Sequence, residues 1–260
     1  MGLMDFLGYG PMSEKRISKC VKLATNKFAQ PDVRVRELER LMDDGSTEAI
    51  LGALKRFSVN SDGAIADEEE KKWLEDEVVE KCGESAVAPL EKYIRSEKQL
   101  TYALRAYRRL STESNSVQMF IAALLGHGPD AYRQGDAKLQ LVLQLSEYVE
   151  DSLVLPTLAP FVLDHSDDVR WAVMDVLEVG IEKRIVSDEV KSLYLGHFRD
   201  VVFDSATGPR IVRRVVEFLS SHEWALGATI EELPSLLEDA YFLDKKGYLR
   251  KRAGRSSARS

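Results

Sequence analysis

Oxygen-bearing side chains crowd one stretch of this sequence, "FSVNSDGAIADEEEKKW" from Phe57 to Trp73, with a spacing suited to wrapping a hard dication. Such an ion sheds part of its water shell only where several oxygens, some of them anionic, converge on it. With Gly63 at the sixth of twelve loop positions, where a sharp turn needs glycine, Asn60 stands third, Asp62 fifth, Ile65 eighth and Glu69 twelfth. The first position is Ser58, a hydroxyl where an aspartate is wanted, and no second loop of this kind occurs in the chain.

The pattern resembles an EF-hand loop lacking its first ligand, and that resemblance would imply a calcium-regulated adaptor working through residues 58–69. The same residues suit a plain connector between helices. Asn60, Ser61, Asp62 and Gly63 supply turn chemistry, and Asp67 to Glu70 favour a helix N-terminus through the macrodipole, as a solvated first turn. Ser58 favours the connector.

Other chemistry is sparse. His127, His165, His197 and His222 fall in four separate segments, none in an H-x-x-x-H pair or next to a cysteine, so no metal site is expected. There is no G-x-S-x-G elbow, and Gly126-His-Gly128 lacks the Gly-Lys-Ser/Thr of a phosphate loop. These readings anticipate no catalytic residue and no cofactor. Cys20 and Cys82 sit at apolar positions of helical patterns, which, without a secretory signal, predicts reduced thiols and a cytoplasmic protein.

The elements that must carry these residues are helical. Apolar residues recur at helical spacing almost throughout, and no run of period-two alternation is long enough to make a convincing strand. Helix pairs are predicted at 15–28 with 31–43, 46–57 with 66–82, 84–95 with 97–110, 114–125 with 136–149, 150–163 with 167–180, and 188–202 with 209–221. A further pair or cap is predicted over 229–252, opened by the capping box Thr229-Ile-Glu-Glu232. Residues 1–14 form an N-terminal segment, 15–252 one helical domain, and 253–260 a frayed, disordered basic end. No run is apolar for long enough to span a membrane. The chain carries −7, yet its last sixteen residues hold seven basic and no acidic side chains, leaving −14 on residues 1–244. An acidic body repels phosphates and argues against a nucleic-acid groove.

Residues 153–180, "LVLPTLAPFVLDHSDDVRWAVMDVLEVG", contain a first helix with proline, an aspartate-bearing turn and a second helix opened by Val169-Arg170. Residues 86–110 and 210–221 are looser copies. This unit resembles a HEAT repeat, of the armadillo-like α-solenoid class. The resemblance implies an all-α, right-handed solenoid of about six stacked helix pairs with a C-terminal cap, whose second helices line a concave surface that holds another protein. It also implies an inter-repeat pairing of Arg170 with Asp164 or Asp168. HEAT-like chains include bilin lyases, which supply an enzymatic alternative to a non-catalytic scaffold.

On a helix of 3.6 residues per turn, Val169, Ala172, Val173, Val176 and Leu177 face inward, leaving Trp171, Met174, Asp175 and Glu178 outward. Neighbouring second helices add Tyr102 and Arg105 on one side and Arg213 on the other. An aromatic and arginine strip of this kind suits an acidic or helical protein segment.

Overall fold

The computed structural model describes residues 11–227 and 233–252. Helices follow the apolar spacing: α1 Glu14–Ala24, α2 Pro31–Asp44, α3 Thr47–Leu54, α4 Ala64–Glu77, α5 Val87–Ser96, α6 Thr101–Leu110, α7 Glu113–His127, α8 Gly135–Ser146, α9 Val154–Leu158, α10 Asp167–Glu182, α11 Asp188–Phe203, α12 Pro209–Ser221 and the single turn α13 Ser235–Glu238. Several run on into tighter or wider turns, 3-10 after α3 and α9 and π after α4. The stops have local causes. Pro31 opens α2, where its missing N–H costs nothing, and Gly45 closes it in the left-handed conformation at φ 70°. Among the described residues no helix is long and apolar enough to cross a membrane.

Where the sequence suggests one array over 15–252, contacts group the chain into two compact units, Met1–Gly126 with Asp136–Leu145, and His127–Gly135 with Ser146–Ser260. In the first unit α1, α3 and α5 pack in one row. The α2 helix, α4 with its π turn, and α6 pack in a second, and α1 pairs with α2 as α5 does with α6. Leu38, Leu41, Ile50, Leu54, Leu90 and Ile94 are fully buried between them. Gly52 lets α1 and α3 approach closely, since a Cβ there would stand 2.6 Å from a Val21 methyl.

The second unit repeats the scheme. The α9 helix and its 3-10 turn pack against both α10 and α11, while α12 packs against α10 and α11. Its core is aromatic: Phe198 lies 5.1 Å from Phe218 and 6.0 Å from Tyr194, centroid to centroid, with Trp224 edge-on to Phe218 at 5.3 Å. The buried Tyr194 hydroxyl donates to the Leu155 carbonyl at 3.0 Å, so the ring is buried without an orphaned polar group.

The C-terminal end corrects the sequence expectation. In place of a capping helix, residues 233–252 form α13 and an antiparallel hairpin, β1 Tyr241–Leu243 with β2 Leu249–Lys251. Asp244 Oδ1 accepts from the Lys246 and Tyr248 amides and Gly247 takes φ 82°, a tight turn that a helix cannot contain. Tyr241 and Leu249 are buried, and β2 packs on α12. The capping box at 229–232 and the frayed end at 253–260 lie outside the described residues, as do residues 1–10.

Candidate functional site

The oxygen-rich loop is shaped by arginines. Helix α4 starts at Ala64, directly after Gly63 in the left-handed region at φ 86°, so Glu69 already sits on the helix and is exposed. Ile65, which the loop pattern would pack inward, is 78% exposed. Ser58 Oγ shares a 2.6 Å hydrogen bond with the Tyr93 hydroxyl, and Asn60 Oδ1 accepts from Lys71 Nζ at 2.7 Å. Two residues at ligand positions of the loop pattern, Ser58 and Asn60, are thereby committed to other partners. Calorimetric titration is expected to show no sub-micromolar calcium site; one that Glu69→Gln abolishes would overturn this.

The run 67–70 also departs from a solvated first turn, because only Glu68 and Glu69 face water while Asp67 and Glu70 are buried. Glu70 bridges two arginines from other elements. Arg34 of α2 contacts it through Nη2 at 2.7 Å and Arg56, on the turn after α3, through Nε at 2.6 Å. Asp67 accepts from Arg56 Nη2 at 2.7 Å, Lys71 Nζ at 2.7 Å, and the Ser61 amide and hydroxyl at 2.8 Å each. Burial alone would raise both carboxyls, but the bonds from Lys71, Ser61 and Arg56 hold Asp67 well below the usual carboxylate range, and those from Arg34 and Arg56 lower Glu70. This network ties α2, α3 and α4 together. Among the described residues no three His, Cys, Asp or Glu side chains gather into a metal-binding group.

The residues predicted to meet a partner divide between the two units, Tyr102 and Arg105 in the first, Trp171, Met174, Asp175 and Arg213 in the second. Tyr102 is turned to internal work: its ring stacks on Phe57 at 5.2 Å and its hydroxyl donates to Glu68. Arg105 lies over that ring and pairs with the buried Glu75 at 3.1 Å. In the second unit Met174 is fully buried, contrary to its outward projection. Helix α10 is packed both on α9 with its 3-10 turn and on α12, so the flank that carries Met174 is covered and the outward strip narrows to Trp171, Asp175 and Glu178.

Trp171 is half-buried. Arg210 and Arg214 of α12 each place their guanidinium carbon 5.2 Å from its ring centroid. Arg214 is fixed in turn by a bidentate contact to Glu178 at 3.0 and 2.7 Å and by Asp175 at 3.0 Å. The indole N–H is shielded from water and has no hydrogen-bond acceptor among the described residues. Arg213 is exposed on the same helix. Arg210 and Arg214 are missing from the sequence reading, although their four-residue spacing on α12 is the available sign that they share a face.

Arg170 does not take the carboxylate role that the repeat resemblance implies. It donates from Nε to the Asp164 carbonyl and from Nη2 to that of Leu163 at 3.5 Å, closing the end of the 3-10 turn within its own helix pair. The Asp164 carboxylate accepts from the Ser166 amide at 2.8 Å and steers the chain into α10, while Asp168 is exposed. A guanidinium on the fourth residue of a helix reaches the carbonyls of the preceding turn, which are orphaned acceptors. No family model, curated protein or solved structure matches this chain.

Proposed function

We propose that this chain is a HEAT-like helical scaffold, acting without catalysis in the cytoplasm, which holds another protein on the outward strip of α10 and α12. The order of packing among α1–α6 and α9–α12 supports the repeat reading: first helices α1, α3 and α5, and α9 with α11, lie against one another, as do second helices α2, α4 and α6, and α10 with α12. Such a stack leaves one strip of every second helix facing out.

The observation that carries the binding reading is the half-buried Trp171 beside Arg210 and Arg214. An indole offers rigid apolar area, and Arg214, already held by Asp175 and Glu178, loses little freedom when a partner arrives. The exposed Arg210 and Arg213 offer donors to carboxylates, which an acidic segment supplies.

Hydrogen exchange tests this. The full chain serves as bait, the retained protein is identified by mass spectrometry, and the purified complex is compared with the free chain. Slowed exchange is expected in 167–182 and 209–221. Unchanged exchange in both helices at saturation would remove the face from the interface.

A further inference from the structure

A second surface lies wholly in the first unit. The turn Gly83–Ala86, α5, the end of α6 and the start of α7 enclose a groove of about 670 Å³. One wall is a single stripe of α5, Val87, Glu91 and Arg95 at four-residue spacing, with Glu84 ahead of it. Facing it are Thr112, Asn115, Gln118 and Met119. Tyr107 donates to Glu91 at 3.0 Å from α6, and Arg95 Nη2 reaches the Met119 sulfur at 3.2 Å. A thioether is a weak acceptor, so the guanidinium keeps its charge available to an incoming anion.

We propose that this groove takes an extended peptide segment of a partner protein in which a basic and an acidic residue stand two positions apart. The proposal rests on the scaffold reading and adds to it a second contact and a sequence preference. Two features select the occupant. Glu91 and Arg95 are four residues apart on a helix, about 6 Å along the wall. Side chains two apart on one face of an extended chain are separated by roughly 6.6 Å, so a cation facing Glu91 places the anion opposite Arg95. Glu84 adds negative charge at the cationic end. The opposite wall decides between an extended and a helical occupant. Exposed Thr112, Asn115 and Gln118 present donors and acceptors, which an extended backbone can use and a helix, with its peptide groups already bonded, cannot.

The test uses the full chain and an array of acetylated, amidated pentapeptides, each with one lysine and one glutamate at every spacing and in both orders on an alanine and serine background. Binding is read by fluorescence anisotropy. The two-position spacing is expected to bind best, with one order preferred. Exchanging the wall charges by Glu91→Lys with Arg95→Glu should reverse that order by at least tenfold. Because losing the Tyr107 bond could unsettle α6, a second variant leaves the charges alone: Gln118→Trp fills the groove and should abolish binding with an unchanged melting temperature. Absence of binding by every peptide, indifference to spacing, or binding that survives Gln118→Trp would each overturn the proposal. Trp171→Ala should leave pentapeptide binding intact. If the peptides fail while the α10 and α12 footprint holds, the groove falls alone; if they bind while that footprint is absent, the proposed α10 and α12 face falls and the groove stands.

Discussion

Replacing Arg56 by methionine is expected to destabilise the protein by about 3–5 kcal/mol, the usual cost of removing one partner from a buried ionic group. Arg56 is completely buried and joins Glu70, Asp67, the Val59 carbonyl and Ser61. Its loss leaves two carboxylates out of water with only part of their compensation. Arg36→Met is the control: Arg36 is exposed and stands 3.5 Å from Glu37, so about 0–1 kcal/mol is expected. Urea unfolding monitored by circular dichroism measures both. The acid limb of stability should change as well. Asp67 and Glu70 have folded-state pKa values below their unfolded ones, so their contribution is fully present above the ordinary carboxylate range and drains away as pH falls through the lowered values. Stability should therefore vary little with these groups between about pH 5 and 8 and fall below about pH 4, a dependence that Arg56→Met flattens.

The helix pairs were legible because each buries a stripe that periodicity reveals, and boundaries held best where a chemical stop exists, at Pro31 and Gly45. At the end of α1 the apolar spacing predicts a helix to residue 28, but it stops at Ala24. There the Thr25 hydroxyl bonds back to Val21 and Asn26 Oδ1 takes the Phe28 amide, leaving Phe28 76% exposed. Local polar competition of this kind is invisible to a hydrophobic pattern. The buried network was hidden for a different reason. Arg34, Arg56 and Glu70 come from three elements, and a run of four carboxylates looks uniformly solvated until its neighbours fix which members turn inward. Met174 shows the limit of projecting one helix by itself, since the outward strip is set by everything packed against α10. The hairpin escaped because its strands are three residues long, too short for alternation to register, although Asp244, Lys245, Lys246 and Gly247 spell a turn.

The central claim, that Trp171 anchors a protein partner, is tested most directly by the affinity of Trp171→Ala for the purified partner, with melting recorded on the same sample. A tryptophan packed wholly inside a repeat would cost about 3–5 kcal/mol of stability on truncation. Here the ring is half-buried and covered by Arg210 and Arg214, whose own charges keep water and, for Arg214, the Glu178 pair after the indole is gone. The stability loss should therefore stay below about 2 kcal/mol, in the range of an ordinary cation–π contact with some lost burial. Binding should weaken by about 2 kcal/mol or more, roughly thirtyfold, as at an interface hot spot. A folded variant that has lost its partner is the predicted result; a variant that melts much earlier yet binds with undiminished affinity would contradict it.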